Sequence, residues 1–357
     1  MTVGMSGQLG KVPREFLEDV VFKNLGADRD SVLTSPGHGL DNAVISLGES
    51  RVLIVTTDPL SIIPSIGIRE SAWLSVNLLA SDLATSGVMP QFAALDLNLP
   101  PELGPDELES YVSAIGDECK RLGIAIVGGH TGRYPGSGYT VVGGGTMFSV
   151  AARDSYVTPA MARRGDAVLI TNGAATGATA VLSNAFPRTV GEIVGKALLN
   201  KAKSLLRDCS TVEDALVAAS LGLREKVTSM HDATEGGVLG GLYELSSACG
   251  CSIQVDREKV HVSKEVASVC GVFGLDPLTS LSEGTLIITC DPRAVEEVRS
   301  ALAKKSIPSF AVGEVRARSG RPRLWVSSGG SKPQSFQPPS SDAYWEAYSE
   351  AAAKGLR

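Results

Sequence analysis

The sequence has few of the residues that mark several common classes of metal-binding or disulfide-rich protein. It contains only four histidines, and its six cysteines include no Cys-x-x-Cys pair. This spacing argues against a zinc finger and against a disulfide framework. We therefore interpret the scattered cysteines as reduced thiols in the core or at helix ends.

Long apolar runs and an excess of positive charge are also missing. No stretch reaches the roughly 18 apolar residues that a membrane span needs, and the N-terminus carries no apolar run. The net charge of −6 argues against a surface for nucleic acid or anionic membrane. We expect a cytoplasmic protein without nucleic-acid or membrane partners, in which metal ions or local donors hold any polyanionic ligand.

The sequence does contain enough apolar residues, 43% of 357, to build two domains of ordinary size. Short apolar runs alternate with segments of helical spacing, which predicts an α/β (or α+β) fold. We expect an N-terminal arm and helix over residues 1–35, a first domain over 36–152 and a second over 160–328. Residues 329–357, rich in Ser, Pro and Gly at their start, are expected to be a flexible tail with a short helix.

The stretch Ile-Ala-Ile-Val-Gly-Gly-His-Thr, at residues 124–131, is a candidate ligand site. Its apolar start predicts a buried strand, which we expect to end at Gly128 and Gly129. His130 and Thr131 would then stand at a strand end, where open α/β sheets bind their ligands. An ordinary turn is equally compatible with the paired glycines.

Four aspartates stand at the ends of predicted elements: Asp41, Asp58 and Asp82 in the first half and Asp232 in the second. Taken singly, each has an ordinary explanation as a turn residue, strand-end acid, solvated helix acid or N-cap. Together they suit Mg²⁺, which is usually held by one or two carboxylates and the phosphates of a substrate. A nucleotide triphosphate needs such bridging cations here, because clustered carboxylates repel phosphates.

Six short motifs occur in a fixed order over about residues 9–320. They are Gly-x-Gly-x-Asp-Asn-Ala-Val-Ile, Thr-Thr-Asp-Pro, Ser-Asp-Leu-Ala-x-x-Gly, Val-Gly-Gly-His-Thr, His-Asp-x-Thr-x-Gly-Gly and Ser-Glu-Gly-Thr-Leu. This order resembles the aminoimidazole ribonucleotide synthetase (PurM-like) superfamily, which includes selenophosphate synthetase, thiamine monophosphate kinase and the hydrogenase maturation protein HypE. Residues 10–13, 230–232 and 274–278 look most like the HypE branch.

The resemblance implies a two-domain PurM-like fold, in which a ferredoxin-like N-terminal α/β domain forms the sheet of a homodimer and a C-terminal α/β domain follows. It also implies an Mg-ATP site in a cleft near the dimer interface. Carried over by motif, the metal ligands are Asp41, Asp58, Asp82 and Asp232; the nucleotide-binding residues are Asn42, Gly128, Gly129, His130, Thr131 and Thr234; and the catalytic residues are His231, which positions the phosphoryl acceptor, and Asp82.

The sequence also departs from the patterns of the superfamily. HypE ends in a cysteine that carries its thiocarbamate chemistry, whereas the last cysteine here is Cys290. Asn42 replaces the second acid of an Asp-Asp pair, and His130 stands where HypE commonly has aspartate. Glu235 replaces an arginine and exchanges a phosphate-binding charge for a repulsive one. Selenophosphate synthetase needs an N-terminal Cys or selenocysteine, and no cysteine precedes Cys119.

These observations predict an ATP-dependent enzyme that transfers the γ-phosphoryl group to an oxygen of a small or peptide-borne acceptor, as in hydrogenase maturation. One alternative is a HypE-like nucleotide-binding partner or regulator, without the thiol chemistry, that assembles with other maturation proteins. Another is an enzyme similar to thiamine monophosphate kinase.

Overall fold

The computed structural model describes residues 9–318 and 323–357. Within these ranges the first sheet contains β1 (Val32–Thr34), β2 (Ala43–Ser46), β3 (Arg51–Ser61), β4 (Phe92–Leu99), β5 (Ala125–Arg133) and β6 (Val141–Ala152), in the spatial order β1-β2-β3-β6-β4-β5. The second contains β7 (Ala167–Thr171), β8 (Val227–Ala233), β9 (Cys251–Asp256), β10 (Thr285–Cys290), β11 (Ser309–Arg318), β12 (Arg323–Ser327) and β13 (Gln334–Phe336), in the order β13-β12-β9-β11-β7-β10-β8.

Helices flank both sheets. They are α1 (Arg14–Phe16), which continues as a π-helical turn over Leu17–Val21, α2 (Ile68–Ala84), α3 (Pro105–Leu122), α4 (Thr176–Ala185), α5 (Pro187–Val194), α6 (Lys196–Ser204), α7 (Val212–Ala219), α8 (Gly237–Cys249), α9 (Lys264–Phe273), α10 (Val295–Lys304) and α11 (Ala343–Ala353). None of the helices in the described ranges is both long and apolar enough to cross a bilayer.

Among the described residues, the helices that pack on the first sheet, α2 and α3, cover one of its faces. In β3 the side chains of Val52, Ile54 and Thr56 are buried, whereas their neighbours in sequence are more exposed. Because successive side chains of a strand point to opposite faces, Asp58 continues the buried series and faces the helices. Across the ladder Asp58 pairs with Gly145, where an added Cβ would collide with the Leu79 side chain of α2.

One apolar core joins the two domains. Buried side chains of α2, α7, β8 and β10 belong to a single cluster, represented by Leu83, Ala215, Met230 and Ile288. A second cluster packs α8 against the other face of the second sheet. This shared core fixes the end of α2 against the end of β8, and it thereby brings residues from the two halves of the chain together.

The strand expected to end at Gly128 and Gly129 does not end there. β5 runs on through Arg133 and pairs in parallel with β4 along its length, so the predicted strand end was wrong. Gly129 lies at φ +151° directly against the Leu95 carbonyl, and a Cβ there would collide with that oxygen. The glycine therefore serves the close approach of two strands rather than a turn.

The tail expected to be flexible is attached to the second domain. β13 pairs with β12, and Tyr344 and Ala351 of α11 are buried in an apolar cluster with Phe186. The Thr189 backbone N–H donates to the Arg357 carbonyl oxygen at 2.6 Å. The tail is ordered because its helix carries apolar side chains that the second domain buries. Residues 1–8 of the predicted arm lie outside the described residues, and the remaining domain boundaries stay a prediction.

The position of Leu79 predicts how strongly the first domain depends on the helix face of its sheet. Leu79 is fully buried in the core, so Leu79→Ala should lower the free energy of unfolding by about 2–5 kcal/mol. Leu47→Ala is the control, because Leu47 is half exposed and should change stability by roughly 0.5 kcal/mol or less. Urea unfolding followed by circular dichroism measures both. Equal losses in the two variants would contradict this account of the core.

Candidate active site

The predicted acids of the two domains meet at the junction between them. Asp41 lies two residues before the start of β2, and His231 and Asp232 lie near the end of β8. One ligand atom from each of these three residues lies within 4.8 Å of the others. Successive side chains of a strand point to opposite faces of the sheet. In β8, His231 therefore points toward α8 and Asp232 toward α2. Three predicted site residues from opposite halves of the sequence therefore form one cluster.

His231 is held between two carboxylates. Its Nδ1 lies 2.7 Å from Asp41 Oδ1 and its Nε2 lies 3.0 Å from Glu244 Oε2. Carboxylates only accept, so both ring nitrogens must donate and the ring is an imidazolium. Burial opposes this charge, but Asp41 and Glu244 outweigh it and raise the pKa of His231 well above its usual value. Burial likewise favours neutral Glu244, yet Lys11 and His231 lower the pKa of Glu244 to about 2.

Asp82 and Asn42 form the second part of the site. The Thr56 hydroxyl donates to Asp82 Oδ2 at 3.1 Å. The Asn42 amide donates to the Asp82 carbonyl oxygen at 2.8 Å and to Thr85 Oγ1 at 2.9 Å. Asn42 Oδ1 and Asp41 Oδ2 remain buried without a protein partner among the described residues. Because both atoms are acceptors, each can receive a donor or a cation.

Each carboxyl group of the site makes ionisation of its neighbours less favourable. Burial raises the pKa of Asp58 to about 6, and burial together with Asp41 raises that of Asp232 to about 7. Burial and the neighbouring acids raise the pKa of Asp82 and of Glu283 well above their usual values. A divalent cation would relieve this repulsion, and a set of carboxylate and amide oxygens suits Mg²⁺. The residues present therefore fit the predicted metal.

Three residues of the site were missed by sequence reasoning. Lys11 and Glu283 lie within stretches used for the family resemblance but were given no role, and Glu244 has no motif around it. Lys11 Nζ donates to Thr234 Oγ1 at 3.0 Å, and the Lys11 backbone N–H donates to Glu235 Oε2 at 2.8 Å. Glu235, expected to act as a repulsive charge, thus binds the N-terminal arm.

The structure does not bring the other predicted nucleotide-binding residues to this cluster within one chain. Gly128, Gly129, His130 and Thr131 lie on the edge strand β5, which β6 and β4 separate from β3 by about 14 Å. His130 is exposed and lies 2.6 Å from the Tyr134 hydroxyl. Their role in binding a nucleotide stays a prediction.

Comparison with known families agrees with this architecture. The family model for the N-terminal domain of AIR synthase related protein matches residues 39–151. The family model for its C-terminal domain matches residues 163–324. The chain belongs to the AIR synthase-related family. The predicted PurM-like superfamily and its two-domain fold are thereby confirmed.

Two curated relatives show which branches of the AIR synthase-related family are similar. Carbamoyl dehydratase HypE of Escherichia coli K12 is 30% identical over 249 residues, which cover 68% of this chain and 69% of that protein. A thiamine-monophosphate kinase of Halobacterium salinarum is 28% identical over 269 residues, which cover 74% of this chain and 83% of that protein. Both relatives bear the names of enzymes.

Solved structures share the fold. A chain from a HypE–HypF complex matches with a TM-score of 0.70 at 20% identity, covering 91% of this chain and 99% of that one. A HypE structure in complex with ATP matches with a TM-score of 0.64 at 20% identity, covering 91% and 94%. At these identities the likeness establishes the architecture of the AIR synthase-related chain.

The crowding of acids predicts that the metal-free protein loses stability as pH rises. The pKa of Asp232 is about 7 in the folded protein against 3.8, so the folded state binds more protons between these values. The free energy of unfolding therefore falls across that window. The raised pKa of His231 also makes stability fall with rising pH, because the ion pairs of His231 are lost as the pH rises through that pKa.

In the Asp232→Asn variant the free energy of unfolding should decrease less between pH 4 and pH 8 than in the wild type. The difference should be at least about 1 kcal/mol, because one pKa unit corresponds to about 1.4 kcal/mol. Asp28→Asn, at an exposed position, should follow the wild type. Chemical denaturation with a chelator present at several pH values measures the slopes. Parallel curves for wild type and Asp232→Asn would refute the proposed crowding.

Proposed function

We propose that this AIR synthase-related protein is an enzyme that binds Mg-ATP at the domain junction and transfers the γ-phosphoryl group to an oxygen of an acceptor. The acceptor is a small molecule or a peptide-borne group. The observation that carries the proposal is the convergence of acids from both domains around two buried acceptor atoms that have no hydrogen-bond partner in the described part of the chain. The HypE neighbour in complex with ATP and the kinase relative support the choice of nucleotide.

Each residue has a distinct part in this proposal. Asp41, Asp58, Asp82 and Asp232 would hold the Mg²⁺, which neutralises phosphate charge when it is bound. His231 uses both ring nitrogens on carboxylates, so we assign it to fixing Asp41 rather than to touching the acceptor. Because most of phosphoryl-transfer catalysis is positioning, the ligands must be held in place before the nucleotide arrives.

A second candidate function is that of a nucleotide-binding partner of other hydrogenase-maturation proteins. Buried thiols favour it over thiocarbamate chemistry on this chain: Cys209 and Cys290 are fully buried, and burial raises the pKa of the Cys290 thiol to about 12. The HypE–HypF complex is the matching precedent for assembly. Rapid ATP turnover by the isolated protein would count against this candidate, and phosphorylation of thiamine phosphate would favour the kinase alternative.

We also propose that two copies associate through the open face and edge of the first sheet. Ile126 and Val127 of the edge strand β5 are about half exposed, as is Val141 at the start of β6, and the rings of Phe92 and Phe148 stack 5.5 Å apart on neighbouring strands. An unpaired apolar edge strand invites pairing with another chain. This association would cover the strand that carries His130.

The Mg-ATP proposal predicts the effect of Asp58→Asn. Wild type should bind ATP in calorimetry with Mg²⁺ and much more weakly with a chelator, because phosphates and carboxylates repel one another without the cation. Asp58→Asn should lose at least about 10-fold of the Mg²⁺-dependent affinity, whereas Asp28→Asn at an exposed site should retain it. Binding that does not depend on Mg²⁺, or that survives Asp58→Asn unchanged, would overturn the proposal.

The dimer proposal is tested by placing a charge on the edge strand. Val127→Glu should shift the protein from dimer to monomer in sedimentation velocity, because a carboxylate at an apolar interface is costly to desolvate. Ile193→Glu is a matched control on α5, where Ile193 is 65% exposed. A wild type that sediments as a monomer, or a dimer that persists in the Val127→Glu variant, would exclude this face.

A further inference from the structure

The second domain carries a group of arginines that the proposed reaction does not use. Residues 316–323 contain four arginines and no acid, in a chain whose net charge is −6. Arg164 comes from a distant part of the sequence, shortly before β7. Two backbone hydrogen bonds, each of 2.8 Å, join residues 165–166 to Val315 and hold Arg164 beside β11. The fold therefore adds a further arginine to a segment that is already basic.

Arg164 and Arg316 line an open cavity of about 520 Å³ on the second sheet. Ile253 of β9 packs with α8 on one face of this sheet, so its neighbour Gln254 points to the other face, into the cavity. Trp325 of β12 lies in register beside Gln254 and also lines the cavity. The volume is within the range of roughly 300–1,000 Å³ that is typical of ligand pockets.

The guanidinium groups at this cavity keep free hydrogen-bond donors. Arg316 is half exposed and forms an ion pair with Glu314. The exposed side chains of Arg164 and Arg323 have no hydrogen-bond or ion-pair partner within the described ranges. Arg323 lies in register with Ser252, which lines the cavity, so both point to the same face. Three guanidinium groups thus stand against the one carboxylate of Glu314, which leaves this surface positively charged.

We call the surface formed by Arg164, Gln254, Arg316, Arg323 and Trp325 the arginine face. It lies away from the acids of the domain junction, because β11, β7 and β10 separate β9 from β8 by about 19 Å. A ligand of the arginine face would therefore be distinct from a nucleotide bound at the junction.

The residue types of the arginine face indicate the chemistry of its partner. Guanidinium groups bind carboxylates through two parallel hydrogen bonds. Tryptophan and arginine are also the residues that most often dominate the binding energy of protein interfaces. The half-buried indole of Trp325 offers an apolar surface beside these charges. Carboxylates and apolar side chains of one peptide segment can therefore bind here together.

A single-stranded nucleic acid fits the arginine face less well than an acidic peptide. Proteins that bind single strands stack successive bases on several aromatic side chains along a basic groove. Among the described residues, Trp325 is the one aromatic side chain that lines this cavity. The net charge of −6 also repels a long polyanion, whereas a short acidic segment places its charge on the arginines alone.

We infer that the arginine face is a docking site for an acidic segment of a partner protein, in which apolar side chains accompany the carboxylates. The carboxylates pair with Arg164, Arg316 and Arg323, and an apolar side chain packs on Trp325. Because exposed ion pairs are screened by salt, this binding weakens as the ionic strength rises. The inference goes beyond the proposed function and holds whether or not the chain transfers a phosphoryl group.

The test uses a short fluorescein-labelled peptide in which pairs of glutamates alternate with leucines. The control peptide has glutamine at every glutamate position. Fluorescence anisotropy without nucleotide should show that wild type binds the glutamate peptide at least about 10-fold more tightly than the glutamine peptide. Raising NaCl from about 50 mM to about 300 mM should weaken the glutamate peptide and leave the glutamine peptide nearly unchanged.

Variants of the arginine face locate the binding. Arg164→Ala and Arg316→Ala should each weaken the glutamate peptide by about 5-fold or more. Arg188→Ala is the matched control, because Arg188 is exposed and pairs with Glu192 on α5 as Arg316 pairs with Glu314 on β11. The unlabelled glutamate peptide should change the tryptophan fluorescence of wild type but not that of Trp325→Phe, which keeps an aromatic ring at this position.

Three results would overturn the inference. The glutamate and glutamine peptides could bind equally well, or Arg164→Ala and Arg316→Ala could bind the glutamate peptide as tightly as Arg188→Ala does. A labelled oligo-dT strand could also bind more tightly than the glutamate peptide through the same arginines, and the arginine face would then be a nucleic-acid site.

Discussion

Electrostatic repulsion among carboxylates that the fold forces together is the constraint on which the rest of this structure depends. Burial and the charge of Asp232, from the second domain, raise the pKa of Asp82 in the first. Apolar packing between α2, α7 and β8 supplies the free energy that holds these acids there. The imidazolium of His231 and the ammonium of Lys11 offset part of the charge. The remaining negative charge is what divalent cations would neutralise, and the same cations would bridge the acids to phosphate oxygens.

Local hydrogen bonds prepare the acids for that partner. The Asn42 amide fastens the end of α2 and Thr56 orients the Asp82 carboxylate, so neither group has to be ordered when a ligand arrives. His231 ties Asp41 in the first domain to Glu244 in the second. The two domains therefore build one site together rather than two separate sites. Loosening either domain would disturb the ligating residues that both contribute.

Much of the fold, and part of the site, was predictable from sequence because its signals are local or carried by motifs. The alternation of strands and amphipathic helices indicated the α/β class, and the motif order indicated the AIR synthase-related family. The cluster of Asp41, His231 and Asp232 followed from that order. Glu244 and Lys11 were missed because their place in the site depends on packing between distant segments. The sequence placed the end of β5 too early. Gly129 permits a close contact with the Leu95 backbone, and no local sequence pattern indicates that contact.

Anomalous scattering from crystals grown with Mn²⁺ and a non-hydrolysable ATP analogue tests the central claim most directly, because it locates the cations without reference to activity. We expect Mn²⁺ peaks between the analogue's phosphates and the carboxylates of Asp41, Asp58, Asp82 and Asp232. Peaks confined to other surfaces, or an analogue bound away from these acids, would contradict it.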